Sequence, residues 1–425
     1  MNKCAVLGGT PVRENAIPWV NTMDDSELNA VIEVMKSGNL SAFLANSGEK
    51  FCGGEKVREL ELNFCKRFKV KHAISVNSAT TGLQVAVAAC NIGPGDEVLV
   101  SPYTMVASAS AILLNGAVPV FVDIDPETYT MNPEEIEKWI TPHTKAILTV
   151  NIFGLPSNLP RIMEIAKKHN LYVIEDNAQA PGATINGEEA GTISDIGVYS
   201  LNYHKIIHSG EGGIVVTNND KLARNCQMVR NHGEIALDET ADMETYIVGS
   251  NYRMSELHAA IGIEQLKKLD GFLAKRRELA ERINREFKKR EGLCGVHIPE
   301  GYTHSYYIYP FRFDKDVWGI SRKVFAEAMK AEGFPLGVGY VKPIYLINLY
   351  KHKHIHNETT YPFAFIDPPT QNYSKGMCPI VERMHFEELL TADICRYPYE
   401  MEDIEDFFEA IDKIWGQREE LQKLS

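Results

Sequence analysis

The chain has 425 residues, of which 44% are hydrophobic, so it is long enough to form two domains with extensive cores. Its formal net charge of −13 argues against a surface for nucleic acid or anionic membranes, because such surfaces need clustered Lys and Arg. The sequence has no apolar run long enough for a signal peptide or a membrane span, and its eight cysteines form no C-x-x-C pair. We therefore expect a cytoplasmic protein with reduced thiols.

Helical and strand patterns alternate from about residue 55 to 220, which predicts a mainly parallel sheet with helices on both faces. Seven apolar runs are the candidate strands, at 72–76, 96–101, 118–124, 144–151, 171–176, 195–200 and 212–217. Helical spacing is found between these strands, at 80–92, 132–140 and 159–170.

The C-terminal third has fewer strand signals. A long helical stretch at 255–292 is expected to lead away from the sheet, and an amphipathic helix at 402–417 closes the chain. These patterns predict an N-terminal segment at 1–30, a large domain at 31–265 and a small C-terminal domain at 266–425.

Two segments together indicate a site for pyridoxal phosphate. VIEDNAQA places Asp176 and Gln179 at the end of a predicted strand, and SLNYHKIIHSGEGG places Ser200 and Lys205 in a later turn rich in glycine. A lysine amine can form a Schiff base with the cofactor aldehyde, and a carboxylate can keep the pyridine nitrogen protonated. Either residue alone would mean little, because aspartates at strand ends and lysines in loops are common.

The segment VNSATTGLQVAVAAC predicts a cradle for the cofactor phosphate. A strand ends at Val76, and a helix begins near Thr80, where backbone N–H groups, the helix dipole and the Thr80 hydroxyl would meet a dianion. An ordinary helix N-cap is the alternative. In SPYTMVASASAI, Met105 follows the next strand and could lie against the pyridine ring, although a core methionine is the simpler interpretation.

These motifs together resemble the DegT/DnrJ/EryC1/StrS family of sugar aminotransferases, which are pyridoxal phosphate enzymes of fold type I. The resemblance also covers LGGTPVRENAIPW, PYTMVAS, RNHGE and GSNYRMSELHAAIGIEQLKKL. It implies an α/β fold, in which a large domain with a mixed, mainly parallel seven-stranded sheet is joined to a smaller α+β C-terminal domain.

The resemblance also implies roles for individual residues. Lys205 would carry the Schiff base, Asp176 would pair with the pyridinium, and Gln179 would lie near the ring hydroxyl. Asn251, in the NYRM motif, would reach the cofactor phosphate of the neighbouring subunit, so a homodimer with shared active sites follows. The phosphate of the same subunit would be bound by Ala79, Thr80 and Ser200.

Several positions depart from the family pattern. Ala79 stands where a glycine is usual, and Met105 stands where an aromatic residue is more common. The last motif, usually of the Leu-Pro-Leu-His type, is LLTADICRYPYE here. Because that part of the chain shapes the substrate pocket in the family, the sequence leaves the substrate open. Arg396 and Tyr397 stand in that motif, and His204, which His208 follows, occupies a position where a small residue or threonine is frequent.

The resemblance implies that glutamate or glutamine donates an amino group to a keto sugar, in most relatives a nucleotide-linked one. A keto cyclitol or a small keto phosphate is an alternative acceptor. A sugar dehydratase of this family would carry histidine in place of the lysine. His204 is one residue away, but the spacing from Ser200 to the GEGG turn keeps Lys205 in the lysine position. A catalytically silent relative should have lost Asp176 or Lys205, and this chain has kept both.

The run KHKHIHNE carries His352, His354 and His356 at alternating positions, which could suggest a metal site. No carboxylate or cysteine accompanies them at a set spacing. A solvated loop without metal is therefore the prediction.

Overall fold

A computed structural model describes residues 3–44, 48–233, 247–355 and 359–424. The main strands form from the apolar runs, because β-branched residues pack well on a pleated, buried surface. The strands are β1 (His72–Val76), β2 (Glu97–Val100), β3 (Val118–Phe121), β4 (Thr144–Val150), β5 (Tyr172–Asp176), β6 (Thr184–Ile185), β7 (Glu188–Glu189), β8 (Ile196–Ser200), β9 (Gly213–Thr217), β10 (Leu293–Gly295), β11 (Tyr309–Phe313), β12 (Gly337–Val338) and β13 (Leu389–Ala392).

Many helices begin at side chains that cap the first turn. Asn132 accepts a hydrogen bond from the N–H of Glu134, and Ser255 accepts one from the N–H of His258. The helices are α1 (Asp25–Ser37), α2 (Glu55–Phe68), α3 (Ala79–Ala89), α4 (Ala107–Leu114), α5 (Pro133–Ile136), α6 (Leu159–His169), α7 (Asp220–Arg230), α8 (Glu256–Phe287), α9 (Lys315–Trp318), α10 (Arg322–Ala331), α11 (Asn348–His352), α12 (Pro379–Arg383), α13 (Met401–Gly416) and α14 (Arg418–Leu421).

Seven of the described strands form the large sheet, in the order β1-β9-β8-β5-β4-β2-β3. Within this order, the part β8-β5-β4-β2-β3 is parallel throughout. Strand β9 is antiparallel to both of its neighbours, β1 and β8. The predicted mixed, mainly parallel sheet of seven strands is confirmed. The sequence did not predict the hairpin β6–β7, whose strands have only two residues each.

Helices cover both faces of the large sheet. On one face, α3, α4 and α7 pack on strand residues such as Ile74 and Val98. On the other face, α2 and α8 pack on Ala73 of β1 and Ile214 of β9, and α6 packs on Leu99 of β2. Because successive strand residues point to opposite faces and both faces are covered, these strands are apolar almost throughout.

A small antiparallel sheet, β10-β11-β13-β12, lies in the C-terminal part of the chain. Its core includes residues from α10, α13 and the end of α8, together with Cys4 of the N-terminal segment. The predicted small C-terminal α+β unit is confirmed in this form.

Helix α8 connects the two cores. Its first half, from Ala259 to Leu273, packs on the large sheet, and its second half, from Leu279 to Phe287, packs on the small sheet. The helix therefore leaves the large sheet only halfway along its length, later than the sequence suggested. Later in the chain, Tyr345 and Tyr350 again belong to the core of the large sheet. The domain limits 1–30, 31–265 and 266–425 stay a prediction.

None of the helices in the described ranges is long and apolar enough to cross a membrane. All eight cysteines are free.

Candidate active site

Asp176 is the last residue of β5, at the carboxyl end of the parallel strands, where open α/β sheets bind ligands. Its side chain is buried, and Oδ2 accepts a hydrogen bond of 2.7 Å from the Ser108 hydroxyl of α4. Oδ1 accepts a bond of 3.1 Å from the N–H of Ala178. Burial raises the pKa of Asp176, and these hydrogen bonds and the Lys205 charge oppose that rise.

Lys205 lies in the turn between β8 and β9, near the same end of the sheet. Its Nζ is 4.5 Å from the centre of the Tyr307 ring. Burial lowers the pKa of Lys205 to about 8, and the nearby Asp176 charge opposes that shift. The protonated form still predominates near physiological pH, but the neutral amine that a nucleophile or general base requires is far more populated than in an ordinary lysine.

The turn that carries Lys205 is held by backbone hydrogen bonds across its base. The N–H of Leu201 donates to Gly212 at 2.9 Å, and the N–H of Tyr203 donates to Gly210 at 2.8 Å. Gly210 and Gly212 have φ of 83° and 154°, values that favour glycine. The GEGG segment forms a tight turn between the lysine and β9, in agreement with the glycine-rich turn predicted from the sequence.

The start of α3 lies beside this turn. Ser78 is the N-cap residue, and its hydroxyl accepts a hydrogen bond of 3.1 Å from the N–H of Thr81. Ala79 is the first helical residue, so it has the negative φ that alanine needs at the position where glycine is usual. A Cβ on Gly213 would stand 2.7 Å from the nitrogen of Ala79, so β9 can approach the helix start this closely only with glycine there. The first turn offers N–H groups to an anion.

Gln179 is fixed by two hydrogen bonds. Its Oε1 accepts from the N–H of Phe153 at 2.7 Å, and its Nε2 donates to the Tyr340 hydroxyl at 3.2 Å. Phe153 has φ of 59°, a left-handed conformation that is rare for a residue with a bulky side chain. Tyr340 and Phe153 were missed by the sequence analysis, because neither lies in a motif with a recognisable spacing.

Asp176, Gln179, Lys205 and the start of α3 border a cavity of about 160 Å³, which we call the strand-end cavity. Met105, 56% exposed, is a lining residue and not a core methionine. Tyr340, Asn202 and Glu211 also contribute to the wall. The structure brings together here seven of the eight predicted site residues: Ala79, Thr80, Met105, Asp176, Gln179, Ser200 and Lys205.

Asn251, the eighth predicted residue, does not line the strand-end cavity of its own chain. It is exposed, and its Oδ1 accepts a hydrogen bond of 2.9 Å from Nε of Arg253. Its carbonyl oxygen accepts a weak bond of 3.4 Å from Asn77, next to the start of α3. The role of Asn251 in a neighbouring subunit stays a prediction.

A second cavity, of about 100 Å³, lies beside the first and shares Lys205 and His204 with it. We call it the Trp19 cavity. Trp19, Lys275 and Arg276 line it and were not predicted from the sequence. Trp19 ends the motif LGGTPVRENAIPW, which was a sequence signal that could have indicated it. The other lining residues are Val20, Thr22, Tyr203, Ile206, His208, Phe272, Arg396 and Tyr397.

The histidine run does not join either cavity. His352 and His354 are exposed, and His356 lies outside the described residues. Within the described ranges, no group of three or more His, Cys, Asp or Glu side chains could hold a metal ion.

The chain is similar to known aminotransferases in sequence and in fold. The chain is 39% identical to a GDP-perosamine synthase from Caulobacter vibrioides over 289 residues. The aligned part covers 66% of this chain and 74% of the relative. It is 35% identical to an L-glutamine:2-deoxy-scyllo-inosose aminotransferase from Streptomyces kanamyceticus, over 80% of this chain and 81% of the relative. An aminotransferase structure from Psychrobacter cryohalolentis superposes with a TM-score of 0.79 at 31% identity, covering 95% of this chain and all of the other.

The model of the DegT/DnrJ/EryC1/StrS aminotransferase family matches residues 22–371. Aminotransferases of this family depend on pyridoxal phosphate. The match includes the strand-end cavity and the turn with Lys205. The chain belongs to the DegT/DnrJ/EryC1/StrS aminotransferase family and is an aminotransferase.

Proposed function

We propose that this aminotransferase moves an amino group from glutamate or glutamine to a keto sugar linked to a nucleoside diphosphate, in amino-sugar biosynthesis. It would act as a cytoplasmic homodimer with shared active sites. The observation that supports this most strongly is the position of Lys205: its amine, with a pKa lowered to about 8, borders both cavities near the buried Asp176.

The residues of the strand-end cavity fit pyridoxal phosphate. Asp176 is a buried carboxylate whose hydrogen bonds come from a hydroxyl and an amide, so a protonated ring nitrogen would supply a positive partner. The first turn of α3 would hold the phosphate through the N–H groups of Ala79 and Thr80, and the Ser200 hydroxyl would add a donor. Met105 would cover a face of the ring.

When bound, the cofactor supplies an electron sink for the bond that breaks at the substrate carbon. The Lys205 amine would remove the proton from that carbon and return it, because burial lowers its pKa to about 8 and makes the neutral amine more accessible than in an ordinary lysine. Asp176 would hold the proton on the ring nitrogen throughout. Gln179, fixed by Phe153 and Tyr340, would orient the cofactor ring by contacting the hydroxyl group of that ring.

The relatives support two classes of acceptor. The name of the Caulobacter vibrioides relative refers to a sugar carried on GDP, and that of the Streptomyces kanamyceticus relative to a keto cyclitol. A keto cyclitol is therefore the second candidate. The dehydratase alternative is disfavoured, because Lys205 itself lines the strand-end cavity. A non-catalytic role is disfavoured by the presence of both Asp176 and Lys205 there.

The acceptor can be tested with the cofactor in its amino form. Purified protein would be loaded with pyridoxamine phosphate and mixed with keto sugars linked to GDP, UDP or TDP, with the free keto sugars and with keto cyclitols. We expect the absorbance of the aldehyde form to return fastest with a nucleotide-linked keto sugar. If a keto cyclitol reacts faster than every nucleotide-linked sugar, the proposed acceptor is wrong and the second candidate, a keto cyclitol, takes its place. A Lys205→Ala protein is the control for reactions that do not need the enzyme's base.

A further inference from the structure

The amine of Lys205 lies over the face of an aromatic ring. Its Nζ is 4.5 Å from the ring centre of Tyr307, a residue that is only 8% exposed and lines neither the strand-end cavity nor the Trp19 cavity. Within the described part of the chain, this Nζ forms no hydrogen bond and no ion pair. A cation within about 6 Å of a ring centre is attracted by the negative face of the ring. The Tyr307 ring is therefore a direct partner for the protonated amine.

The charged and titratable groups near this pair come from several elements. Besides Asp176, they are His204, Tyr203, Glu211, Arg276, Tyr340 and Asp393. Burial raises the pKa of the Tyr307 hydroxyl above its ordinary value, so this hydroxyl stays neutral at physiological pH. Tyr307 therefore acts on the amine through its ring face and not through a charge.

An unusual backbone conformation precedes Tyr307. Tyr306 has φ of 50°, a left-handed value that is rare for a residue with a bulky side chain. The buried His304 stabilises it: Nδ1 accepts a hydrogen bond of 2.7 Å from the N–H of Tyr306, and the two rings stack with their centres 4.1 Å apart. Burial lowers the pKa of His304 to about 3, so its ring is neutral and can accept this bond. Backbone strain of this kind persists only where the surroundings impose it, and it is concentrated at functional sites.

The same segment is tied to two other parts of the molecule. Nη1 of Arg276, on α8, donates to the carbonyls of Tyr306 at 2.6 Å and Tyr307 at 3.3 Å. The hydroxyl of Ser305 donates to the carbonyl of Gln179 at 3.0 Å. These bonds fix the Tyr307 ring relative to the wall of the strand-end cavity.

A ring face suits a lysine that must hold a proton for a short time. It attracts the ammonium but cannot take its proton, whereas a carboxylate at the same place would form an ion pair and keep the amine charged. Because only the charged form is attracted, the ring opposes the effect of burial on the pKa of Lys205. The ring thus determines where the protonated amine lies and leaves the amine free to lose the proton.

We propose that Tyr307 is a positioning residue for Lys205, and that its ring face receives the protonated amine and holds it next to the strand-end cavity. The left-handed Tyr306 and the bonds from Arg276 and Ser305 keep the ring at that place. This inference rests on the proposed function only in taking Lys205 as the base of the reaction. The role belongs to the ring and not to the hydroxyl, so Tyr307→Phe and Tyr307→Leu should differ.

The first test measures the protonation of Lys205 in the full-length, cofactor-free protein. The amine would be labelled with a trace of acetic anhydride as a function of pH, and the adduct on Lys205 would be quantified by mass spectrometry. Because the ring attracts only the ammonium, Tyr307→Leu should lower the midpoint of this titration by about one pH unit. Tyr307→Phe keeps the ring and should keep the midpoint of the wild type.

The second test measures how well the amine is placed. With glutamate or glutamine as the donor, the single-turnover rate at saturation should fall about 10-fold in Tyr307→Leu, although more of its amine is neutral. The affinity for the donor should change little, because Tyr307 lines neither cavity. Tyr307→Phe should restore most of the rate.

Tyr373→Leu is the matched control. Tyr373 is also a buried tyrosine below a lysine, with Nζ of Lys353 5.2 Å from its ring centre, and it lies outside both cavities. This variant should be less stable than the wild type but should keep the Lys205 midpoint and the single-turnover rate.

An unchanged or higher midpoint in Tyr307→Leu would overturn the inference, and so would an equal shift in Tyr307→Phe or in Tyr373→Leu. A Tyr307→Leu protein that reacts with a donor as fast as the wild type does would overturn it as well. If the wild type reacts with neither donor while the midpoint still falls in Tyr307→Leu alone, the proposed reaction is wrong and the role of Tyr307 stands.

Discussion

The two cavities beside Lys205 are built in different ways. The strand-end cavity is formed by residues at the ends of β5 and β8 and at the start of α3, in short segments that the backbone geometry brings together. The Trp19 cavity is formed where the N-terminal segment, α8 and the segment after β13 meet. The first holds Asp176 and Lys205, which pyridoxal phosphate chemistry requires, together with two departures from the family pattern, Ala79 and Met105. Arg396 and Tyr397, from the altered last motif, line only the second cavity.

The largest effect that separates the cavities is expected for Asp176→Asn. Without the carboxylate, the ring nitrogen would lose its proton and the electron sink would weaken, so both half-reactions should slow on the order of 10²-fold or more. Cofactor should still bind and the fold should survive, since asparagine can accept the Ser108 hydrogen bond. Single-turnover absorbance measurements for each half-reaction check this.

Asp195→Asn is the matched control for that change. Asp195 is a half-buried carboxylate near the sheet, and its Oδ2 accepts a hydrogen bond from the N–H of Val173, away from both cavities. Rates near those of the wild type in Asp176→Asn, or an equal loss in Asp195→Asn, would remove Asp176 from the role assigned to it.

Asn251 tests whether the strand-end cavity is completed by a second subunit. Asn251→Asp keeps an acceptor for Arg253 but would repel the phosphate, so cofactor affinity should fall about 10- to 100-fold. Mixing this variant with Lys205→Ala should restore part of the activity, because one site of the mixed dimer would then carry neither defect. If subunits exchange and no activity returns, the shared-site prediction is wrong.

The Lys205 amine should make the free energy of unfolding depend on pH. Its pKa is lowered to about 8 in the folded protein, whereas an unfolded lysine has a pKa of about 10.4. Between these values the unfolded chain binds the extra proton, so the free energy of unfolding of the cofactor-free protein should rise with pH. Because water screens part of the shift, we expect roughly 1–2 kcal/mol.

Urea unfolding from pH 7 to 10.5 measures this rise. Lys205→Met should abolish it, and Lys167→Met, on the exposed side of α6, should keep it. A Lys205→Met protein with the same pH dependence as the wild type would mean that the amine is not desolvated.

The smallest effect is expected for Ser108→Ala. The Ser108 hydroxyl donates to Asp176 at 2.7 Å, and its loss should raise the pKa of the carboxyl further and weaken its hold on the ring nitrogen. One neutral hydrogen bond is worth roughly 1 kcal/mol, so the rate should fall about fivefold. Ser110→Ala, on the same helix and facing Tyr350, is the control and should leave the rate unchanged.

The sequence predicted the parts of the molecule in which local pattern decides structure. The seven strands of the large sheet were found because each is a short apolar run next to turn residues. Asp176 and Lys205 were found because one ends such a strand and the other lies between two of them. The sequence did not predict that the first half of α8 packs on the large sheet, because the apolar face of the helix continues from one core to the other without interruption.

The rest of the site depends on contacts between distant segments. Tyr340 bonds to Gln179 across 161 positions, and Arg276 reaches the carbonyl of Tyr306 across 30. No period or spacing in a single sequence encodes such pairs. The unusual φ of Phe153 is equally hidden, since a left-handed phenylalanine is imposed by its surroundings and not by its own preference.

The central claim is that the Lys205 amine is the group that binds the cofactor covalently. Protein reconstituted with pyridoxal phosphate would be reduced with borohydride, digested and examined by mass spectrometry. The account predicts a yellow protein before reduction and one modified peptide, with the cofactor adduct on Lys205. An adduct on another lysine, or none in the reconstituted protein, would contradict it.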